Sequence, residues 1–264
     1  MEKSLSNILF IVEGSKTEPA IIKCLSDIFH FNANIYSVNA NIYAIYQTVK
    51  DDPFANIVKV VSEMSNSESD KTILNKKFTD VFLVFDCDSH HTTNRLEAAQ
   101  LSIQEIANKN IEIVQEMVKR FDESTDPERG KLLINYPMVE SFRDCDDFFD
   151  KNYSNANVPI DKVKDYKKIV SSRKMASAHI EHFTYDNFAN LIRMNSFKLN
   201  QIISGKFEVA DYSKFLMNYN QEKIAQKESE FIKKQSIIAV LNTLLFFPIE
   251  YFGNTNKFYD NIVS

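Results

Sequence analysis

Acidic residues follow two apolar segments of this chain, at positions suited to metal-ion chemistry. Glu13 comes directly after the apolar run Ile8–Val12, and Asp86 and Asp88 come directly after the run Val81–Phe85. Both runs have the continuous apolar character of strands buried in a parallel sheet. Carboxyl ends of parallel strands meet at one edge of the sheet, where open α/β proteins place their chemistry. The spacing therefore predicts that the three carboxylates meet at that edge.

Three such carboxylates would supply the hard oxygen ligands that Mg²⁺ or Mn²⁺ prefers. An ion held in this way keeps several water molecules and suits a phosphate-containing substrate. Each acid also has a plain structural interpretation. Glu13 can be a loop acid favoured by the dipole of the next helix, and Asp86 and Asp88 can form a turn. Glu-Gly after one strand and Asp-x-Asp after a later strand, in that order, favour the metal site.

The order of these motifs resembles the Toprim fold, a catalytic domain shared by topoisomerases, primases and a group of nucleases. The segment VEGSKTEP, which begins at Val12, is similar to the stand-alone Toprim proteins of bacterial defence, in particular the RloB-like and OLD-nuclease-like groups. In those groups a second glutamate follows five positions after the first, where this chain has Glu18. Their later Pro-x-x-Glu segment is similar to Pro137–Glu140. The resemblance covers about residues 7 to 142.

The resemblance implies metal-dependent phosphodiester chemistry with one or two Mg²⁺ or Mn²⁺ ions. It makes Glu13 a general acid/base or metal ligand, and it makes Asp86 and Asp88 metal ligands. Glu18 and Glu140 become ligands of a second ion, although both positions also suit ordinary acids at the start of a helix.

The activity that the resemblance implies is a Toprim endonuclease that cuts DNA or RNA, tRNA included, as an effector of antiphage defence. The implied partner is an ABC-type or SMC-like ATPase, because the chain has no Walker A motif of its own. A homodimer is a further option. The alternative is a non-catalytic Toprim scaffold that docks on such an ATPase through its helical half. A primase-like or topoisomerase-like enzyme is a weaker alternative, since no accompanying nucleotidyl-transfer domain or zinc ribbon is evident.

The most basic run of the chain, residues 161–174, is the predicted nucleic-acid contact. Four of its side chains are expected to bind the phosphate backbone: Lys167, Lys168, Arg173 and Lys174. Lys174 is also a candidate for stabilising charge in the transition state. The alternative for the run is a solvated helical face. His90 and His91 follow the aspartates, and a solvated pair in a loop is favoured over a phosphate or metal contact.

Alternating strands and helices predict an α/β domain over residues 1–142, with a mainly parallel, Toprim-like sheet flanked by helices. The predicted strands are residues 8–12, 34–38, 81–85 and 131–135. The predicted helices are residues 17–31, 53–64 and 96–121, with a polar surface loop at 65–72 and an ambiguous segment at 41–49. Residues 143–264 have a mainly helical pattern, and we expect this region to bind substrate or partner.

Composition narrows the class of protein. A net charge of −5 over 264 residues argues against a protein that coats nucleic acid with its whole surface. Three widely spaced cysteines without a CxxC motif predict neither a disulfide framework nor a zinc site. The N-terminus lacks a signal-peptide pattern, and the apolar stretch Ser236–Ile249 is too short to cross a bilayer. We therefore expect a soluble, cytoplasmic protein without a membrane partner.

Overall fold

The computed structural model describes residues 7–65, 67–92, 99–121, 128–252 and 256–263. The chain divides into two compact units, each built from two stretches of sequence. The first unit comprises Met1–Asp86 and Lys119–Leu133, and the second comprises Cys87–Val118 and Ile134–Ser264. The division at residue 142 stays a prediction about domains that fold independently.

A four-stranded parallel sheet organises the first unit and confirms the predicted α/β class. Its strands are β1 (Asn7–Val12), β2 (Asn32–Ser37), β3 (Asp80–Asp86) and β4 (Lys131–Asn135), in the order β2-β1-β3-β4. Strand β1 is central because it pairs in parallel with both β2 and β3. The runs Ile8–Val12 and Val81–Phe85 are fully buried. The last two residues of β4 are assigned to the second unit.

Four helices of the first unit connect its strands: α1 (Thr17–Phe29), α2 (Ile42–Val49), α3 (Ile57–Met64) and α4 (Glu68–Leu74). Helix α2 settles the ambiguous segment. Helix α3 begins later than predicted because Phe54 N–H donates to Asp52 Oδ1 at 2.9 Å, which forms a turn before Asn56 caps the helix. Helix α4 replaces the predicted loop, since the Ser67 side chain caps its first turn.

The second unit is mainly helical, which confirms the predicted helical C-terminal half. Its helices are α5 (Ile103–Phe121, ending in the first unit), α6 (Tyr166–Ser171), α7 (Tyr185–Ser204), α8 (Tyr212–Asn218), α9 (Gln221–Gln235), α10 (Phe247–Phe252) and α11 (Asn256–Val263). Short 3₁₀ helices cover Val139–Arg143, Lys151–Asn155, Ile160–Asp165, Lys174–Ser177, Ile180–His182 and Leu244–Phe246. Strands β5 (Asn157–Pro159) and β6 (Ile237–Ala239) pair in antiparallel fashion.

The single helix predicted over residues 96–121 is interrupted: residues 99–100 are helical, residues 101–102 are not, and α5 begins at Ile103, while residues 93–98 lie outside the described residues. The start of α5 is fixed by a reciprocal pair of contacts. Ser102 Oγ accepts from Glu105 N–H at 3.2 Å, and Glu105 Oε2 accepts from Ser102 N–H at 2.8 Å. All three cysteines are buried free thiols. Within the described ranges, no helix is both long enough and apolar enough to cross a lipid bilayer.

Buried asparagines brace the second unit between β4 and Glu140. Asn135 Oδ1 accepts from Thr243 N–H at 3.1 Å, and Asn195 Oδ1 accepts from Asn242 N–H at 3.0 Å. The side-chain amide of Asn242 donates to Val139 O at 2.7 Å. Buried polar groups that are paired in this way favour one backbone arrangement, because an unpaired amide is costly. The network therefore fixes the backbone immediately before Glu140.

Candidate metal centre

Glu13 and Asp86 lie next to each other in the first unit. The pairing of β1 with β3 continues one residue past β1, where Glu13 N–H donates to Val84 O at 3.3 Å. The Glu13 side chain then reaches the end of β3, and Asp86 N–H donates to Glu13 Oε2 at 3.4 Å. Asp86 is buried and Glu13 is half-buried. Two acids separated by more than seventy residues of sequence thus lie at the carboxyl ends of adjacent strands.

Glu18 is held close to the same strand end through Gly14. Gly14 N–H donates to Glu18 Oε1 at 3.2 Å, and only 4% of Glu18 is exposed. A Cβ atom on Gly14 would lie 3.0 Å from Glu18 Oε2, so a larger residue would press on the Glu18 carboxylate. Lys16 at the N-cap of α1 provides no side-chain cap. Glu18, in the first turn of α1, therefore binds the backbone N–H of Gly14. This contact keeps its carboxylate beside Glu13 and Gly14.

Asp88 belongs to the second unit and lies in a strained, well-anchored loop. Its φ angle of 40° is in the left-handed region, where a non-glycine residue is uncommon. His91 N–H donates to Asp88 O at 2.8 Å. The side-chain amide of buried Asn110 donates to Ser89 O at 3.0 Å and to His91 O at 2.8 Å. No motif in the sequence points to this anchoring role of Asn110.

His90 is half-buried, in contrast to the solvated pair predicted from the sequence. Its Nδ1 atom is buried without a hydrogen-bond partner and lies 4.0 Å from Asp88 Oδ1. Burial lowers the pKa of His90, and the attraction of Asp88 opposes this effect only in part. The neighbouring Ser89 Oγ is also buried without a partner. The loop after β3 therefore holds a neutral imidazole beside a predicted metal ligand.

Glu140 and Lys167, both singled out from the sequence, form an ion pair in the second unit. Lys167 Nζ lies 3.1 Å from Glu140 Oε1. Glu140 Oε2 is buried without a hydrogen-bond partner, so one carboxylate oxygen is available to a ligand. The Glu140 side chain is 17% exposed and that of Lys167 is 67% exposed. The basic run and the Pro-x-x-Glu segment thus meet, which neither motif predicts alone.

The other basic residues of the run differ in how firmly they are held. Lys168 Nζ pairs with Asp165 at 2.7 Å on an exposed surface, as the solvated-face interpretation expects. Arg173 Nε contacts the buried carboxylate of Asp144 at 2.8 Å. Lys174 is exposed.

Asp144 is a residue that the sequence did not identify. Its second oxygen accepts a hydrogen bond from the hydroxyl of buried Tyr166 at 3.1 Å, so both carboxylate oxygens are engaged. The only signal in the sequence is the acidic cluster that it shares with Asp146 and Asp147. Because Asp144 engages Arg173 through Nε, the guanidinium is anchored at its base while the side chain stays 42% exposed.

A divalent ion fits the donor chemistry of these residues. In the first unit, Glu13 and Asp86 lie at the carboxyl ends of adjacent strands. In the second unit, Glu140 Oε2 is a separate buried oxygen without a hydrogen-bond partner. Such oxygen donors suit Mg²⁺ or Mn²⁺. Among the side chains that the structure describes, no three His, Cys, Asp or Glu residues already converge as a metal site. In the first unit, Glu13 and Asp86 are the residues that would hold such an ion, with further oxygen ligands completing its shell.

The fold defines an α/β protein with a parallel sheet and a helical C-terminal half. Neither the family models, nor the curated proteins, nor the solved structures with which the chain was compared match it. The likeness to Toprim proteins therefore rests on the short motifs around Glu13, Asp86 and Glu140.

Proposed function

We propose that this protein is a Mg²⁺- or Mn²⁺-dependent nuclease that hydrolyses phosphodiester bonds of DNA or RNA, with tRNA among the candidate substrates. The observation that carries the proposal is the contact of Asp86 N–H with Glu13 Oε2 at 3.4 Å. It joins the acid after β1 to the acid after β3, at the strand ends where open α/β sheets bind their ligands. The biological role we propose is antiphage defence alongside an ABC-type or SMC-like ATPase.

The proposed chemistry assigns distinct tasks to the acids. Glu13 and Asp86 would hold the ion, and Glu13 would also serve as the general base for the attacking water. A bound ion lowers the pKa of water and stabilises charge on the leaving oxygen. We keep Asp88, Glu18 and Glu140 as proposed further ligands. Lys174 is proposed to offset negative charge in the transition state.

A scaffold without catalytic activity is the second candidate function. Its support is apolar surface on the second unit, where Leu216 and Met217 of α8 are 48% and 60% exposed. Contiguous exposed apolar side chains are the kind of surface that binding partners cover, and these two adjoin each other on α8. In this case the helical half docks on an ATPase, and the acids at the strand ends maintain the fold only.

A cleavage assay separates the two functions. Single- and double-stranded DNA and tRNA are incubated with the protein and Mn²⁺ or Mg²⁺, in parallel with Glu13→Gln and Asp86→Asn. Both substitutions retain size and hydrogen-bonding capacity, so we expect native folding by circular dichroism. Asp27→Asn, on the exposed face of α1, is the matched control.

We expect metal-dependent cleavage by the wild type and by Asp27→Asn, and a loss of at least about 100-fold in the other two variants. Equal cleavage by all four proteins would refute the assigned residues. Absence of cleavage by every protein, together with ATPase binding that survives in both acid variants, would leave the scaffold function.

A further inference from the structure

A large open groove of mixed polar and apolar lining lies in the first unit, between α3, α4, the segment that leads into β3, and Glu128. It encloses about 960 Å³. Four lysines line it: Lys59, Lys71, Lys76 and Lys77. None of them belongs to the basic run that the sequence singled out: Lys71, Lys76 and Lys77 lie within seven residues of each other, and the fold brings Lys59 of α3 to the same groove.

The groove is positively charged in a chain that is acidic overall. Its four lysines face two lining acids, Glu63 and Glu128, and Lys71 Nζ also pairs with Glu68 at 2.9 Å, which leaves a local charge of about +1 against −5 for the whole chain. The Lys59–Glu63 pair is long, at 4.0 Å, and both side chains are mostly exposed. Exposed ion pairs contribute little free energy, so such lysines can exchange these contacts for a bound anion.

The neutral lining of the groove suits a nucleic-acid strand. Phe78 contributes an aromatic ring that is half-buried, and Asn75 contributes an exposed amide. Ammonium groups that follow a backbone, together with an aromatic ring on which a base can stack, are the features of single-strand binding. An acidic protein segment would pair with the lysines but would have no base to stack on the Phe78 ring.

The groove lies away from the acids at the strand ends. Lys76 and Lys77 precede β3, which begins at Asp80, whereas Asp86 ends it. Six residue steps along a strand cover about 20 Å. A ligand in the groove therefore contacts the protein at the opposite end of β3 from Asp86 and takes no part in bond cleavage.

We infer that this groove binds the phosphate backbone of a single-stranded nucleic-acid segment, outside the bond that is cut. This inference names the substrate class of the nuclease proposed above. It rests on that proposal, because a nuclease is what would need such a binding groove. The lysines hold successive phosphates and Phe78 stacks on a base.

The test is direct binding without metal, so that it does not depend on cleavage. Binding is measured by fluorescence anisotropy with a labelled single-stranded DNA or RNA oligonucleotide of about 20 nucleotides, which is longer than the groove. The measurements are made in EDTA across a range of salt concentrations. The groove variant is Lys76→Glu/Lys77→Glu. The matched control is Lys23→Glu/Lys50→Glu, with the same change in net charge on exposed residues of the first unit.

We expect the groove variant to bind about tenfold more weakly than the control and to lose about 1.4 from the slope of log K against log salt, since two phosphate contacts disappear. Equal affinity and equal slope for the two variants would overturn the inference. Equal oligonucleotide binding with loss of binding to polyglutamate in the groove variant alone would also overturn it, in favour of an acidic protein partner.

Failure of the nuclease proposal gives a different pattern. If the wild type cuts nothing with Mn²⁺ but the groove variant still loses oligonucleotide binding relative to the control, the groove stands as a nucleic-acid site and the nuclease does not. If cleavage depends on Glu13 while binding is the same in both lysine variants, the nuclease stands and the groove fails. Matching melting temperatures confirm that both variants are folded.

Discussion

Replacing Glu228 with glutamine should stabilise the protein at neutral pH. Glu228 lies on α9, is fully buried, and its Oε2 accepts from Ala239 N–H at 3.0 Å. Its Oε1 is buried without a hydrogen-bond partner. Burial raises the pKa of Glu228 to about 8, although the Ala239 N–H and the attraction of Lys198 act in the opposite direction. The folded protein thus keeps this side chain protonated and neutral at pH 7.

The size of the effect follows from the raised pKa. The unfolded chain releases the proton near pH 4.5, whereas the folded chain holds it up to about pH 8. The stability that depends on this proton is complete below pH 4.5 and falls as the pH rises towards 8. At about 1.4 kcal/mol per pH unit, about 3 kcal/mol is lost by pH 7 and less than about 1 kcal/mol by pH 5. Glutamine is neutral in both states and escapes this loss.

The assay is urea denaturation followed by circular dichroism near pH 5 and near pH 7, with the exposed Glu222→Gln on the same helix as control. We expect Glu228→Gln to exceed the wild type by about 3 kcal/mol near pH 7 and by much less near pH 5. A gain that is the same at both pH values, or a loss near pH 7, would refute the reasoning. Such a loss would mean that Glu228 is ionised in the folded protein and depends on the attraction of Lys198.

Two substitutions test the supports of the candidate centre. Gly14→Ala places a Cβ atom 3.0 Å from Glu18 Oε2, so we expect a loss of about 1 kcal/mol in thermal unfolding and weaker metal-dependent cleavage, with exposed Ser15→Ala as control. Unchanged cleavage would separate Glu18 from the chemistry. Asn135→Ala leaves the buried amides of Thr243 and Leu244 without their acceptor, so we expect a loss of about 2–4 kcal/mol in urea denaturation. The exposed Asn152→Ala is its control, and equal stability of the two variants would contradict the bracing role.

Predictions from the sequence succeeded where local pattern and local energetics agree. The continuous apolar runs before Glu13 and Asp86 form the two central strands of the sheet. Such runs are apolar on both faces, so both faces are buried. Helix starts were predicted less well. Those of α3 and α4 depend on single side-chain contacts of Asn56 and Ser67, which compete closely with turns.

The sequence by itself determined the α/β class, the helical C-terminal half and the acids placed at the ends of two buried strands, since the residue pattern of strands and helices along the chain is local. Only the tertiary structure decided which distant charges become neighbours. The contact of Glu13 with Asp86 and the ion pair of Glu140 with Lys167 depend on chain segments that are far apart in sequence, and the groove forms only where α3 and α4 pack beside the segment that leads into β3. A sequence shows which side chains can carry charge. The free energy of each charged group depends on its burial and on its partners, and both are set by the packed fold.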